Sequence, residues 1–340
     1  MYILAFETSC DDTSVAIFED DKLLAMDTKS QIKIHNITWW VVPEVAAREH
    51  ANSIFLVLEN VFKQIPEGTG TPYWGTGTFR LDFIDYIAVT KTPWLMPSLL
   101  TWLTVARTLS NVLNKKLIEI NHIEAHIFAN YLERKEEEIK YPLICLTVSW
   151  GHNELYFMKS MFEMQKIGQT TDDASWEAFD KVAKMMWLWY PWWPIISKLA
   201  SEYELNGTGT NNLFPRVWLD KDAFDFSFSG LKSAVKREID SRIKKYWELT
   251  LDDKKQISFE FENAVVEVLA YKLINAAKKY NVSNIMLAWW VSANDKLINT
   301  LKNLAKKNNL NFIYPVKKIY SWDNAAMVGI NAYYKLKKEA

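Results

Sequence analysis

The chain has 340 residues, 24% charged and 49% hydrophobic, with 40 basic against 41 acidic side chains. That balance excludes disordered and collagen-like chains, and the length suits about two domains. No apolar run approaches the ~18 residues of a membrane span, and the first residues lack the basic and long apolar regions of a secretory signal. Two cysteines, Cys10 and Cys145, cannot supply a disulfide framework, so a reducing cytoplasm is the expected setting.

Residues 2–6 read as a buried strand, followed by the polar turn Glu7-Thr8-Ser9-Cys10-Asp11-Asp12-Thr13 and a hairpin over 14–18 and 22–27. Val45, Ala46, His50, Ile54, Leu58 and Val61 are spaced as on a helix that starts at Pro43. Residues 66–78 form a glycine-rich loop. A strand at Tyr86–Thr90 leads into a helix over about 98–113, and a strand at Leu117–Ile120 into a helix carrying His122 and His126. The charge run Arg134–Lys140 reads as a solvated face or linker. The pattern then starts again. Leu143–Val148 is a strand, Ser149–His152 a turn and Glu154–Met158 a strand, followed by a helix over 174–186, a flexible loop over 206–212, long helices at about 229–245 and 253–280, a strand at 284–288 and a helix over about 292–307. This coarse duplication predicts two related α/β lobes with a cleft between them. Residues 272–340 hold 12 lysines against Asp295, Asp323 and Glu339, which suits either a solvated lysine-rich surface or a face for an anionic partner such as RNA.

His122-Ile-Glu-Ala-His126 places two imidazoles on one helix face at a spacing that lets both bind one metal; ordinary surface histidines are the alternative. A zinc-protease motif would need glutamate directly after the first histidine, where Ile123 stands. Asp323, after a strand and at the start of a helix, is the candidate third ligand. The turn at Glu7–Thr13 offers hydroxyls and backbone N–H groups to a phosphate and carboxylates to orient a nucleophile. Ser149-Trp150-Gly151-His152 is a second such turn, except that Trp150 is too bulky for a loop whose backbone must approach an anion. Phe226–Lys232 reads as a strand end and helix cap.

These segments together resemble the tRNA N6-adenosine threonylcarbamoyltransferase family over nearly the whole chain. The matching motifs are Glu7–Ser14; Val41–Glu44 with Arg48–His50; Asn121–His126; Asp172–Ala174 with Glu177–Lys184; Phe226–Lys232; Val291–Asn294; and Asp323–Met327. The resemblance implies a two-lobed actin/sugar-kinase-like (ASKHA) α/β fold with a central cleft. It implies an N-terminal lobe over 1–135, on which a C-terminal helix at 324–340 packs back, and a C-terminal lobe over 136–323. The implied activity is transfer of a threonylcarbamoyl group from threonylcarbamoyl-AMP to N6 of adenosine 37 in tRNAs reading codons that begin with A, releasing AMP. By position, His122, His126 and Asp323 would ligate one divalent metal, Fe(2+) in most of the family. Thr147, Val148, Ser149, Trp150, Gly151, Asp180, Trp193 and Asn294 would hold the adenylate, and Asp11 would be the catalytic carboxylate of the first turn. Implied partners are tRNA, an inactive paralogue (TsaB-like) and a small ATPase (TsaE-like), with no membrane.

The chain departs from this pattern in one systematic way. Glycine numbers 10 and tryptophan 16, against an average glycine share near 7%. Trp39, Trp40, Trp94, Trp102, Trp150, Trp176, Trp187, Trp189, Trp192, Trp193, Trp289 and Trp290 stand where the family has glycine, and Trp322 where it has a small residue. Thr92 and Pro97 replace family glycines too, as ordinary divergence. Some bacterial lineages read the codon UGA as glycine, whereas a different variant code reads it as tryptophan. Translation with the wrong table would convert only the UGA-coded glycines. If the tryptophans are real, the chain is instead a non-catalytic relative or binding scaffold. The expected outcome of sequencing the gene is UGA at those twelve positions and UGG at Trp218 and Trp247; UGG throughout would refute the reading.

Overall fold

The computed structural model describes residues 1–35, 41–65, 73–74, 78–79, 81–149, 151–188, 192–204, 212–218, 223–289 and 294–340. The chain divides into two compact units, Met1–Ile139 with Pro315–Ala340, and Lys140–Tyr314. Asp323 therefore belongs to the first unit.

In the first unit, β1 (Tyr2–Glu7) carries Ile3, Leu4, Ala5 and Phe6 with no exposed surface. Such an unbroken apolar run marks a strand covered on both faces. It is followed by β2 (Asp12–Glu19), β3 (Lys22–Ser30), α1 (Ile32–His35) and α2 (Pro43–Gln64). Pro43 opens α2, and Ala46, His50, Ile54, Val57 and Val61 bury one face of it. The short strands β4 (Tyr73–Trp74) and β5 (Thr78–Phe79) pair with each other; β6 (Tyr86–Thr92), α3 (Met96–Leu113), β7 (Lys116–Asn121) and α4 (His122–Phe128) complete the run. The main sheet has the order β3-β2-β1-β6-β7, antiparallel from β3 to β1 and parallel from β1 to β7.

The second unit repeats this plan with β8 (Leu143–Val148), β9 (Asn153–Ser160), β10 (Glu163–Gln169), α5 (Ser175–Met185), α6 (Trp192–Glu204), α7 (Ser229–Tyr246), α8 (Leu251–Lys279), β11 (Asn284–Ala288), α9 (Asp295–Lys307) and β12 (Asn311–Ile313). Its sheet order, β10-β9-β8-β11-β12, again joins an antiparallel hairpin pair to two parallel strands. The long α8 is capped by Thr250, whose hydroxyl accepts from the Asp253 N–H at 3.1 Å. Two motifs distant in sequence meet here. Asp172 accepts from the Ser227 hydroxyl and the Phe228 N–H, and Asp173 pairs with Lys181 and Lys232.

After the second unit the chain returns as α10 (Ala325–Glu339), which packs on the first sheet. Gly329 permits the close approach: a Cβ there would stand 2.4 Å from the Phe18 ring and 3.3 Å from the Ala5 Cβ.

Three elements escape the sequence pattern. β10 (Glu-Met-Gln-Lys-Ile-Gly-Gln) is largely exposed and has no apolar alternation. β12 is only three residues long. The Trp192-Trp193-Pro194 stretch opens α6, where proline in the first turn lacks only an N–H that has no helical partner anyway. The lysine-rich segment runs through both units. Lys272 is buried and donates to the carbonyls of Trp218 and Ala223, while Lys296, Lys317, Lys335 and Lys337 pair with Glu204, Glu133, Glu124 and Glu136.

Of the twelve tryptophans at family-glycine positions, Trp39, Trp40, Trp150, Trp189 and Trp290 lie outside the described residues, as do the side chains of Trp192 and Trp193. Trp94, Trp187 and Trp289 have φ of 127°, 55° and 79°, a region that glycine enters freely and bulky residues rarely do. Trp102 and Trp176, by contrast, are helical and buried in the two cores. Trp247, which the sequence sets apart from the glycine positions, caps α7 in the left-handed region at φ 70°, with its N–H donating to the Ile243 carbonyl at 2.7 Å. Glycine is the usual residue at such a helix end. Trp247 therefore joins the set by backbone conformation, and its codon is now expected to be UGA. Since its side chain is 90% exposed, Trp247→Gly should raise stability by about 1 kcal/mol in denaturant unfolding. An unchanged or lower midpoint would keep tryptophan at 247.

Candidate metal centre

The first unit gathers two histidines and two carboxylates in a place shut off from solvent. Asn121, the last residue of β7, caps α4 by accepting from the N–H groups of Ile123 and Glu124 at 2.9 and 3.2 Å. The cap fixes the first turn of α4 and so aims His122 and His126, one turn apart, in the same direction. Asp323 comes from the segment just before α10, where Asn324 caps the helix by accepting from the Met327 N–H.

His122 Nε2 and His126 Nε2 stand 3.2 Å apart, and Asp323 Oδ1 lies 2.9 Å from His126 Nε2 and 3.5 Å from His122 Nε2. All three side chains are buried. An ion bound at the usual ~2.0–2.2 Å by neighbouring ligands holds them ~3.0–3.5 Å apart, so the three donors already have ligand-to-ligand spacing. Two imidazoles and one carboxylate closing one side of a sphere, the other side left open, is the donor set of non-haem ferrous sites. Among the described residues this is the one such cluster.

The electrostatics follow from burial among opposite charges. Burial alone disfavours the His122 cation, but the Glu7 and Asp323 carboxylates outweigh it and push its pKa up to about 9. His126 is driven down to about 4, chiefly by burial. Burial also works against the Asp323 anion, yet the two imidazoles hold its carboxyl far below the ordinary range.

Asp11 sits in the turn between β1 and β2. Burial, and then the Asp323 carboxylate, push its pKa up to about 6. The turn is held from α2. His50 Nε2 donates to the Cys10 carbonyl at 3.0 Å, while its Nδ1 accepts from Thr13 Oγ1 at 2.8 Å and Gln31 Nε2 at 3.2 Å. Both ring nitrogens are thus engaged in the neutral form, in keeping with a pKa that burial lowers to about 4.

The second unit contributes a separate cavity of about 700 Å³, lined among others by Ser197, Lys198, Glu262, Asn294, Lys296 and Thr300. Asn294 caps α9 by accepting from the Leu297 N–H at 2.8 Å and donates to Glu262 Oε1 at 2.9 Å, which also accepts from Ser197 Oγ at 2.6 Å. Burial raises the Glu262 pKa. Of the other expected adenylate residues, Thr147, Val148 and Ser149 are buried at the end of β8, where Ser149 closes a turn with His152. Asp180 is half-buried on α5. Neither they nor Gly151 line this cavity. Trp150 and the Trp193 side chain lie outside the described residues. Glu262 went unnoticed in the sequence; its signal was a carboxylate within the apolar run Phe261 to Val266 of a buried helix.

A family model described as tRNA N6-adenosine threonylcarbamoyltransferase matches residues 22–330. The chain is 42% identical over 333 residues to a Staphylococcus haemolyticus protein of that name, covering 98% of this chain and 90% of the relative. It is 40% identical to one from Staphylococcus aureus strain Newman, covering 98% and 91%. Among solved structures, the T. kodakarensis HypF protein aligns with a TM-score of 0.57 at 12% identity, covering 99% of this chain and 48% of that one. Component A of the Acidaminococcus fermentans (R)-2-hydroxyglutaryl-CoA dehydratase aligns at 0.52 and 13%, covering 99% of both chains. At these identities the structural likenesses speak to the fold, a two-lobed α/β architecture of the actin/sugar-kinase type.

Removing any one of the three donors should empty the metal site. His122→Ala and Asp323→Ala are expected to abolish stoichiometric metal, measured by elemental analysis of the purified protein, and full occupancy in either variant would exclude this ligand set.

Proposed function

The chain belongs to the tRNA N6-adenosine threonylcarbamoyltransferase family, and on that premise we propose how its residues serve the transfer. The enzyme is an acyltransferase of tRNA modification. Its acyl donor is threonylcarbamoyl-AMP and its acceptor N6 of adenosine 37, in tRNAs that read codons beginning with A. The bond from N6 to the carbamoyl carbon forms, the bond from that carbon to the phosphate oxygen breaks, and AMP leaves with the electron pair.

The observation that most supports this reading is the buried convergence of His122, His126 and Asp323. These residues would hold one divalent ion, and the two-imidazole, one-carboxylate set favours Fe(2+). When bound, the ion supplies a Lewis acid that polarises a substrate oxygen. The exocyclic amine of adenine is a weak nucleophile, so the protein's main task is to position it against an activated acyl group. Asp11 is the proton acceptor. A carboxyl with its pKa pushed up to about 6 is a better base than an ordinary aspartate and is still ionised at neutral pH. Asn294 and Glu262, in the cavity of the second unit, offer a donor and an acceptor suited to the hydroxyls of the adenylate ribose. Thr147 to Gly151, Asp180 and position 193 are assigned to the same ligand by the family pattern alone.

For tRNA, the exposed Lys306 and Lys307 at the end of α9 are available to phosphates, whereas Lys272 is not. Phe55 and Leu56 on α2 and Met96 and Leu100 on α3 are exposed apolar side chains on neighbouring helices, a surface suited to the paralogue partner. The small ATPase is carried over from the family alone. No helix among the described residues is long and apolar enough to cross a membrane, and the tRNA-modifying role supports a cytoplasmic setting.

The test is reconstitution with threonylcarbamoyl-AMP, a tRNA transcript and the helper proteins, scored by mass spectrometry of the nucleosides. Asp11→Asn should lower kcat by about 10²-fold or more while metal content stays full. Absence of the modified nucleoside with metal-loaded protein would overturn the transferase reading. Unchanged kcat in Asp11→Asn would remove Asp11 from the chemistry.

A further inference from the structure

Glu7, at the end of β1, has no exposed surface and makes no contact with solvent that could explain a charge at that depth. Its carboxylate is instead held on three sides. Oε1 accepts from the Ser9 N–H at 2.5 Å, and Oε2 accepts from the Thr90 hydroxyl on β6 at 2.5 Å. The third neighbour of Oε2, at 3.1 Å, is Nδ1 of His122. The other ring nitrogen of His122, Nε2, is the one that faces His126 and Asp323.

We propose that Glu7 is the positioning residue of the metal centre, fixing the tautomer and ring orientation of His122 so that Nε2 presents its lone pair to the ion. The Ser9 N–H and Thr90 hydroxyl both donate to Glu7, an arrangement that suits the ionised carboxylate; with no proton of its own to give, it can only accept from Nδ1, which must therefore carry the proton. Ser9 Oγ, 3.1 Å from the same nitrogen, is a hydroxyl and can turn to accept. A lone pair on Nδ1 would instead face the carboxylate oxygen across 3.1 Å, a repulsive contact between two fully buried groups. Outer carboxylates of this kind fix ligand orientation and raise ligand basicity, and their loss weakens metal binding by about 10–100-fold. Glu7 is anchored by two elements of the sheet core, β1 and β6, so His122 is referenced to buried strands at the centre of its sheet. The assignment rests on the metal-centre reading.

The experiment uses the full chain, stripped of metal and titrated with Co(II), with the visible d–d absorption as readout. Glu7→Gln keeps the shape but offers an amide where the carboxylate stood. It should bind Co(II) about 10–100-fold more weakly and shift the absorption band, with Glu7→Asp falling between it and the wild type. The unfolding midpoint of the metal-free protein separates loss of fold from loss of positioning. In the wild type itself, nitrogen-15 spectra of the Zn(II)-loaded protein should show His122 protonated at Nδ1, a readout that needs no variant. Unaltered Co(II) affinity in a folded Glu7→Gln, or a His122 protonated at Nε2, would overturn the inference. A wild type that takes up neither ion would overturn the metal-centre reading, and the Glu7 assignment with it.

Discussion

Two buried carboxylates, Glu7 and Asp323, lie against one imidazole, and the first unit is organised around their need for a cation. A carboxylate removed from water without a counter-charge is strongly disfavoured, and breaking a buried pair leaves the survivor worse off than either a full pair or none. Their combined field holds the His122 pKa near 9 although burial pulls it down, so the site favours positive charge, whether a proton or a divalent ion. Metal binding must then release a proton, because a ligating imidazole gives up its lone pair. Burial, unfavourable for each group alone, is what makes the cluster favour a cation: the carboxylates are withdrawn from bulk solvent and need a counter-charge.

The topology explains why these groups can be brought together from such distant positions. His126 and Asp323 are 197 residues apart in the chain. The return of α10 to the first sheet, pressed close where Gly329 leaves room for the Phe18 ring, delivers Asp323 to the start of α4. Each unit places polar residues after its first, largely buried strand: residues 8–11 after β1, and Ser149 and His152, joined by a backbone hydrogen bond, after β8. The middles of β1 and β8 are largely apolar, so most of the polar groups gather at the strand ends and the helix caps. Glu7, Asn121 and Asn294 all stand at such ends.

How much of this could be read from sequence depended on how local the cause was. The helical pair His122 and His126 was legible because a four-residue spacing on one helix is a local fact. The repeated strand–turn–strand was legible because buried central strands leave unbroken apolar runs. Asp323 was marked only by its place after a strand and before a helix, and nothing in the spacing ties it to His122. Glu7 looked like one polar residue among several in a turn; its role depends on Thr90 and His122, both far away in the chain. For the lysine-rich segment, a charge count carries no information on the direction of each side chain. Lys272 points inward to two carbonyls, and four others are engaged with glutamates.

The tryptophans bring the same lesson to the site itself. Trp102 shows that bulk alone is tolerable: it lies 4.8 Å from the Phe6 ring in a core that closes around it. Backbone sign is the stricter criterion. Left-handed φ at Trp94, Trp187, Trp247 and Trp289 cannot be relieved by repacking, since the clash is between Cβ and the residue's own backbone. Trp94 combines both problems. Its ring meets the His122 ring edge to face at 6.1 Å, so an indole stands beside the first metal ligand at a position whose backbone is shaped for glycine. With glycine there, the backbone strain and the ring beside His122 would vanish together, opening space next to the histidine pair. Fold and chemistry thus ask for the same small residue at 94, each for its own physical reason.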